Sequence, residues 1–442
     1  MYPHILWYLN QSNILSWFFY AATLYSTNFN ELVSILIPVP IFITLLHTPE
    51  RISFISGYVW SLGIWIIHWQ ALLPICYSAV NCQIALICWL LLIAYAALYG
   101  AFYYIAMQFI IITISAEYLK ILVCALLWIL YWNIISHCIL MPFCCNFYNL
   151  ANPLIYFGSL FIYLRLWVYV LYGICISIIT LIVFYYGDKI LYIVSGLVIL
   201  ICVIGYKQTP HIVVNTMYNL GGTLGVMRPY DPYQEMCPES IANAVKILID
   251  TYGCNHIVAP ESCCTSIGQS QDMINIITQL SEHSITYTIP MQRLDNTYKY
   301  NTAWHYTNTQ SLWIDKNKLV PFFEYIPYGW SRKIFNNIFF ANPSFFTPSS
   351  FKSLPVRYKN EEDVYVYMCS DFFFERPENL QSKILFVLVN DTWFANSYFM
   401  RVLYQYACYV SASFNKIIYY VSYSHACCMD TGTIKYIPVV EY

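Results

Sequence analysis

The chain has 442 residues, of which 59% are hydrophobic and only 10% are charged, and its formal net charge is −2. This composition excludes an intrinsically disordered chain, which needs many charges and few aromatic side chains. It also argues against a single soluble domain, since soluble domains carry about 25% charged residues. The near-neutral balance provides no basic surface for nucleic acid.

The charged residues are unevenly distributed along the chain. Residues 1–206 contain four basic and four acidic side chains, and all other charges lie in residues 207–442. We therefore predict two domains, a transmembrane domain over residues 1–206 and a water-facing domain over residues 207–442. The charges of the first domain are Arg51, Lys120, Arg165, Lys189, Glu31, Glu50, Glu117 and Asp188.

The first domain is predicted to contain about seven membrane-spanning helices, because a span needs about 20 mostly apolar residues. If the N-terminus is cytoplasmic, Arg51, Lys120 and Lys189 fall on the cytoplasmic side, where positive charge is favoured. Seven spans then place residues 207–442 on the outer face, whereas an even number places them inside. The predicted spans are Ile5–Tyr25, Leu32–Thr48, Phe54–Tyr77, Cys82–Thr113, Leu119–Leu140, Leu166–Tyr186 and Ile190–Tyr206.

Short apolar strands alternate with amphipathic helices in the second domain, which indicates a layered α/β fold. Helices are predicted around Ile241–Leu248, around Met273–Leu280 and over Tyr398–Ser413. The glycine-containing segment Met217–Gln234 is interpreted as a loop. The predicted strands are His211–Thr216, His256–Ala259, Ile285–Ile289, Val364–Met368, Ile384–Val389, Ile417–Ser422 and Ala426–Met429.

The cysteines indicate neither a disulfide framework nor a metal site. The chain has 17 of them, an odd number, and those of the second domain show no Cys-x-x-Cys pair and no His/Cys spacing typical of zinc. We therefore expect no disulfide framework and no zinc site among them.

Three polar residues of the second domain have the chemistry of an acyl-transfer site. Glu261 and Cys369 follow predicted strands, and Lys316 begins an apolar segment. A thiol attacks well only as the thiolate, a carboxylate can take its proton, and an ammonium group can hold the oxyanion that then forms. Each residue alone also has a plainer interpretation: a carboxylate at a helix start, a solvated surface lysine and an inert buried thiol.

Motifs around these residues carry a family resemblance. Lys316–Pro327 is similar to K-x-H-L-V-P-F-G-E-Y-V-P, and Asn390–Phe394 is similar to N-D-A-W-F. Together with Pro260-Glu261 and Cys369, they resemble the nitrilase superfamily and, within it, the bacterial apolipoprotein N-acyltransferases. In the first domain, Gly57–Gly63 and Tyr95–Tyr99 resemble membrane motifs of the same family. The chain departs from the family at Phe323, where the family has glycine, and at Ser370-Asp371, where it has Tyr-Glu.

The resemblance implies a nitrilase-like α/β domain, an α-β-β-α sandwich, and a role for each motif residue. Glu261 would be the general base, Lys316 the stabiliser of the oxyanion, and Cys369 the nucleophile that becomes acylated. The backbone N–H after Cys369 would complete the oxyanion hole. The supporting residues would be Glu324, Ser370 and Asp371.

The resemblance also implies a reaction, and it implies no cofactor and no metal. A phospholipid would donate an acyl chain to the cysteine thiol, and the acceptor would be the N-terminal amine of a diacylglyceryl-cysteine lipoprotein. The enzyme would lie in the bacterial inner membrane with its catalytic domain on the outer, periplasmic face. Two alternatives stay open: a membrane-bound nitrilase-type hydrolase, in which water replaces the amine, and a non-catalytic descendant that binds lipid or lipoprotein.

Overall fold

A computed structural model describes residues 2–25, 34–47, 54–70, 73, 82–137, 167–187, 193, 223–230, 238–264, 266–280, 285–296, 298–307, 310–320, 324, 346, 356–357, 363–374, 382–394, 398–430 and 433–442. The chain divides into two compact units. The first comprises Met1–Pro210 and Asn396–Tyr409, and the second comprises His211–Ala395 and Val410–Tyr442. Predicted features that lie outside the described residues include the strand His211–Thr216, the span Ile190–Tyr206 apart from residue 193, and Phe323.

The described part of the first unit is helical, and its helices follow the predicted apolar segments. The segment Leu32–Thr48 contains the short helix Val39–His47. Proline is tolerated in the first turn of a helix but not further inside, and Pro40 lies in the first turn of this helix. The segment Phe54–Tyr77 begins as the helix Phe54–Trp69, and most of its remainder lies outside the described residues. The helices are α1 (Tyr2–Tyr25), α2 (Val39–His47), α3 (Phe54–Trp69), α4 (Cys82–Thr113), α5 (Glu117–His137) and α6 (Trp167–Tyr186).

Helices α3 and α4 cross closely at two glycines. A Cβ atom on Gly57 would lie 2.8 Å from the carbonyl oxygen of Gly100, and one on Gly100 would lie 2.2 Å from Cβ of Ser61. Neither position therefore accepts a larger side chain unless the helices separate, and small residues serve the same purpose in membrane helix pairs. The Trp60 indole donates a hydrogen bond of 3.0 Å to Ser16 Oγ and so connects α3 to α1.

The outer face of the first unit is strongly apolar. Along α4, Leu91 is 65% exposed and Phe109 is 71% exposed, and further exposed hydrophobic residues recur at helical spacing between and beyond them. Within the described residues, one helix is long and apolar enough to cross a membrane, Leu86–Thr113, while Phe54–Trp69 and Tyr172–Tyr186 are apolar but shorter. The number of spans therefore stays a prediction.

The strands of the second unit form two sheets. They are β1 (Thr223–Arg228), β2 (Cys254–Val258), β3 (Thr286–Asp295), β4 (Tyr298–Thr307), β5 (Gln310–Asp315), β6 (Val356–Arg357), β7 (Asp363–Met368), β8 (Ile384–Leu388), β9 (Ile417–Val421), β10 (Ala426–Asp430), β11 (Thr433–Tyr436) and β12 (Val439–Glu441). Among the described residues each sheet has six strands, in the orders β12-β1-β2-β3-β4-β5 and β11-β10-β9-β8-β7-β6. The first sheet is parallel from β12 to β3 and antiparallel beyond it. The second is parallel from β7 to β9 and antiparallel at both ends.

The two sheets pack face to face around one hydrophobic core. Leu224 and Val258 from the first sheet and Val366 and Phe386 from the second all belong to it, and each is at most 2% exposed. The β-branched and aromatic residues of these strands alternate between this core and the opposite face, as paired sheets require.

Helices cover the outer faces of both sheets. A second core lies on the first sheet beneath α7 (Pro238–Asp250) and α8 (Ile267–Leu280). On the second sheet, α9 (Ser370–Phe374) contacts β7 through the rings of Phe372 and Tyr367. Helix α10 (Tyr398–Phe414) enters the second unit at Val410, and there Ser411 donates a 3.1 Å hydrogen bond to the Met429 carbonyl of β10. The layers therefore follow the helix-sheet-sheet-helix order of the expected α-β-β-α sandwich.

The interpretation of Met217–Gln234 as a loop is wrong over Thr223–Arg228, which is β1. Gly225 lies within this strand, and a Cβ atom there would lie 2.7 Å from Cys254 Sγ and 2.8 Å from Leu248 Cδ2. The glycine therefore permits a close approach between neighbouring elements, a use of glycine inside strands that resembles a turn signal in the sequence. The predicted helices around Ile241–Leu248 and Met273–Leu280 are confirmed as α7 and α8.

We predict that acid destabilises the second unit through His305, which is fully buried in β4 and contacts Thr288 Oγ1 at 3.0 Å. Burial, together with the charge of His256, lowers the pKa of His305 from 6.5 to about 4. The unfolded chain therefore binds the proton more readily, and the free energy of unfolding should fall by about 3 kcal/mol as the pH drops from 6.5 to about 4. Denaturant titrations of the wild type and His305→Gln across this range check the prediction, which parallel curves for the two proteins would contradict.

Candidate active site

Three of the predicted site residues lie just after strands and come together in the fold. Glu261 lies in the turn after β2, Lys316 follows β5, and Cys369 follows β7. Strands β2 and β5 point the same way, because β3 is parallel to β2 and two antiparallel pairings separate β3 from β5. Their carboxyl ends therefore share one edge of the first sheet, and β7 brings Cys369 to it from the second sheet.

A buried network joins one lysine to two glutamates. Lys316 Nζ donates hydrogen bonds to Glu261 Oε1 at 2.7 Å and to Glu324 Oε1 at 2.9 Å. Asn301 Nδ2 donates to the same two oxygens at 2.9 and 3.0 Å. The other oxygen of Glu324 accepts from the backbone N–H of Val320 at 2.6 Å. The two carboxylates thus share one ammonium group and one amide, and this arrangement keeps both in fixed positions.

The charges of this network support one another. Burial alone would lower the pKa of Lys316, but the carboxylates of Glu261 and Glu324 outweigh it and raise that pKa well above its usual value. Burial raises the pKa of Glu324, and the ammonium of Lys316 acts against this rise. Lys316 is therefore a permanent cation, suited to hold negative charge that develops beside it.

The backbone of Cys369 has an uncommon conformation. Its φ angle is +43°, in the left-handed region that costs energy for a residue with a side chain. The conformation is held because the Cys369 N–H donates to the Leu388 carbonyl at 2.8 Å, while its own carbonyl accepts from Phe372 N–H at 3.1 Å at the start of α9. Cys369 is partly exposed, whereas Glu261 and Lys316 are buried.

The thiol of Cys369 is neutral in this environment. Burial raises its pKa well above the ordinary value of 9.0, and the Glu261 carboxylate raises it further. The Lys316 ammonium and the backbone N–H of Asn390 act in the opposite direction but do not prevail. Because only the thiolate attacks well, this cysteine needs a base that removes its proton as it reacts.

The two residues after Cys369 fasten the loop that carries Lys316. Asp371 Oδ1 accepts hydrogen bonds from the backbone N–H groups of Asn317 at 3.1 Å and Lys318 at 2.6 Å. Ser370 Oγ donates to the carbonyl oxygen of Lys318. Although aspartate is one methylene shorter than the glutamate of the motif that this segment resembles, its carboxylate accepts both hydrogen bonds. Ser370 and Asp371 therefore position the lysine relative to the cysteine.

Asn390 and Asp391 stand at the end of β8 and have different partners. Asn390 Oδ1 accepts from the Thr392 N–H at 3.2 Å and so caps the short 3₁₀ turn Thr392–Phe394. Asp391 instead reaches the turn between β9 and β10, where its Oδ1 accepts from the Tyr423 N–H at 3.0 Å. Its Oδ2 accepts from the Ser424 hydroxyl.

Sequence reasoning missed Asn301, which bridges the two glutamates. It lies in β4, a strand that was not predicted, and it is 6% exposed. A sequence signal did exist, since Asn301 and Thr302 interrupt the aromatic run Tyr298–Tyr306 with polar side chains at adjacent positions. A polar group placed inside a strand needs a buried partner, and here the partners are the site carboxylates.

The arrangement combines a neutral thiol, a nearby carboxylate and a permanent cation, which suits acyl transfer through a thioester. In the part of the chain that the structure describes, no group of three or more His, Cys, Asp or Glu side chains is placed to hold a metal ion.

Comparisons with known proteins give structural similarities only. Neither a family model nor a curated protein matches the sequence. A glutamine-dependent NAD(+) synthetase from Cytophaga hutchinsonii matches with a TM-score of 0.32 and 13% identity, over 48% of this chain and 39% of that one. A CN-hydrolase superfamily protein from Xanthomonas campestris matches with a TM-score of 0.31 and 14% identity, over 48% of this chain and 83% of that one. The chain thus spans well under half of the synthetase.

Proposed function

We propose that this protein is a membrane-embedded acyltransferase of the nitrilase superfamily, of the apolipoprotein N-acyltransferase type. It moves an acyl chain from a phospholipid, through a thioester on Cys369, to the N-terminal amine of a diacylglyceryl-cysteine lipoprotein. The observation that carries the proposal is the buried contact of 2.7 Å between Lys316 Nζ and Glu261 Oε1. The carboxylate of this pair raises the pKa of the Cys369 thiol, and the ammonium lowers it. The motifs around the three residues support the same family.

In the first half-reaction, Cys369 Sγ attacks the carbonyl carbon of the phospholipid ester while Glu261 takes the thiol proton. The negative charge on the carbonyl oxygen is held by the Lys316 ammonium and by the backbone N–H after Cys369. The C–O bond to the glycerol oxygen then breaks, and Glu261 returns the proton to that oxygen. The products are a lysophospholipid and the acylated cysteine.

In the second half-reaction, the amine of the acceptor attacks the thioester carbonyl. Glu261 takes a proton from the attacking nitrogen, the C–S bond breaks, and the proton returns to the sulfur. An N-terminal amine has a pKa of about 8, so a useful neutral fraction exists near neutral pH. The product is an amide, and no cofactor is consumed.

The first unit supports a lipid substrate. Its outward residues include Ile87, Phe102, Phe109, Leu126 and Ile178, which are all more than half exposed. So many exposed large apolar side chains on these helices belong in a bilayer rather than in water. Both proposed substrates are anchored in lipid, so an enzyme that holds its site at the bilayer surface meets them there. We place the protein in the bacterial inner membrane with its α/β domain on the periplasmic side.

The test uses the full-length protein in phospholipid vesicles with a synthetic diacylglyceryl-cysteine peptide. We expect the peptide mass to rise by one acyl chain through an amide on its N-terminal nitrogen. The Cys369→Ala variant should show no such gain. The control Cys408→Ala, which changes another cysteine within residues 207–442, should behave like the wild type. Release of free fatty acid without amide would favour the hydrolase. Vesicle binding with neither product would favour the non-catalytic descendant. Either of these results would overturn the proposal.

A further inference from the structure

Strands β3 and β4 form a two-stranded ribbon that projects from the edge of the first sheet where the site lies. The last residue of β3 that pairs with β2 is Thr288, and β3 continues from there to Asp295, paired with β4 over this whole stretch. Since β3 runs parallel to β2, the ribbon extends from the same edge as Glu261. Asn301, which contacts the site carboxylates, lies at the base of the ribbon.

Lys299 lies on the face of the ribbon that belongs to the site. Side chains two residues apart in a strand share a face. Ala303 of β4 packs into the core between the two sheets, and Asn301 continues this face to the site carboxylates. Lys299 is the next residue on the same face, about 7 Å further along the strand. It therefore faces the side from which the second sheet brings Cys369.

A contact with Phe346 fixes the position of the Lys299 side chain. Its Nζ lies over the Phe346 ring, 5.1 Å from the ring centroid. The backbone N–H of Phe346 donates to the carbonyl oxygen of Glu324 at 2.9 Å. A single residue thus connects the ammonium of Lys299 to a glutamate of the buried network, and the two contacts hold a second cation beside the site.

The ammonium of Lys299 differs from that of Lys316 in its charge environment. In the part of the chain that the structure describes, the carboxylates of this edge form ion pairs with Lys316 and with Arg293, and none forms one with Lys299. Burial lowers the pKa of Lys299, whereas two carboxylates raise that of Lys316. A partly buried cation of this kind is well suited to bind an anion.

An exposed apolar residue lies directly opposite this cation. Leu294 of β3 pairs with Lys299 in the register of the ribbon and is 54% exposed. Opposite residues of an antiparallel pair place their side chains on the same face. A positive charge and an apolar side chain therefore stand together beside the site, which suits a molecule with an anionic headgroup and apolar chains.

We propose that the Lys299 ammonium binds the phosphate of the donor phospholipid while the ester carbonyl lies at Cys369. The inference rests on the proposed function and names the residue that distinguishes a phospholipid from a neutral glyceride. In a phospholipid, the carbons of glycerol separate the phosphate from the ester, so the phosphate lies further out than the reacting carbonyl. Lys299 likewise lies one step further out than Asn301, and an ammonium donates charge-assisted hydrogen bonds to phosphate oxygens.

The experiment measures how fast Cys369 gains an acyl chain, by intact mass, in micelles of a neutral detergent. The donors are phosphatidylethanolamine, which has no net charge, and diacylglycerol with the same acyl chains, which lacks the phosphate. The wild type should react about tenfold faster with the phospholipid. Lys299→Met keeps the apolar stem above Phe346 and loses the charge. It should react about tenfold more slowly than the wild type with phosphatidylethanolamine, and at the same rate as the wild type with diacylglycerol.

Two further variants serve as controls. Lys299→Arg keeps the charge and should keep most of the preference for phospholipid. Lys246→Met removes an exposed lysine from α7 and should match the wild type with both donors, which separates a local contact from the effect of net charge. Lys299→Met should unfold at the same denaturant concentration as the wild type.

The outcomes separate this inference from the proposed function. If the wild type gains no acyl chain from either donor, the proposed function fails. If the wild type is acylated and Lys299→Met keeps the full preference for phospholipid, only the role of Lys299 fails. An equal loss of rate with both donors would also overturn the phosphate contact, because a disturbed site slows every ester alike.

Discussion

The Glu261→Gln variant is expected to acylate Cys369 between about a hundred and ten thousand times more slowly than the wild type near neutral pH, the usual contribution of a general base. The reason lies in the thiol, since burial raises the pKa of Cys369 well above 9.0 and few molecules carry the thiolate at rest. Glutamine keeps the size of the side chain and can still contact Lys316 through its oxygen. It cannot accept the thiol proton.

The pH dependence of the variant separates a base from a structural role. Without Glu261 the reaction depends on spontaneous ionisation of Cys369, so the rate should rise about tenfold for each unit of pH below the pKa of the thiol. The wild type should rise less steeply, because its base removes the proton. Single-turnover acylation measured by intact mass over a range of pH checks this. Glu239→Gln, an exposed change at the start of α7, serves as the control. A uniform loss with an unchanged pH profile would contradict the assignment.

The strand ends were the most predictable part of the site. Glu261 and Cys369 each follow a short apolar run of strand-forming residues, and such runs are readable because their side chains face packed cores. The helices of the second unit were readable for a related reason: Ile241, Val245 and Leu248 recur at helical spacing and are all fully buried in α7. Local pattern and tertiary packing agree at these places.

The parts that escaped prediction depend on contacts between distant segments. Strand β4 is rich in aromatic and polar residues without clear alternation, and it is fixed by pairing with β3 and β5 over its length. The role of Asn301 in the site depends on that pairing, which places its side chain beside Glu261 and Glu324. The turn between β9 and β10 depends on distant contacts as well, because Asp391 and Arg228 hold the backbone of Tyr423 from 32 and 195 residues away. A pattern confined to neighbouring residues cannot show such contacts.

The largest effect on stability is expected from Lys316→Met. The change removes the only ammonium that contacts Glu261 Oε1 and Glu324 Oε1 within the described residues and leaves two buried carboxylates side by side. Loss of one partner from a buried ion pair costs about 3–5 kcal/mol, because the remaining charge has neither water nor a counter-charge. Lys318→Met, two residues away and exposed, should change the free energy of unfolding by less than about 0.5 kcal/mol.

The cost of Lys316→Met should depend on pH and on its carboxylate neighbours. The pKa of Glu324 is already raised by burial, and without the ammonium it should rise further. A carboxyl whose folded pKa lies above its unfolded value favours the fold at low pH and loses that contribution as the pH rises through the folded pKa. The free energy of unfolding of the variant should therefore be lowest under alkaline conditions.

The double variant Lys316→Met with Glu324→Gln removes one of the two buried charges and should recover part of the lost stability, as measured by denaturant titration of the full chain in detergent. Acylation of Cys369 should stay low in both variants, because neither has a cation for the oxyanion. If the double variant recovered acylation together with stability, the role of Lys316 would be to stabilise the fold and not the oxyanion of the transition state.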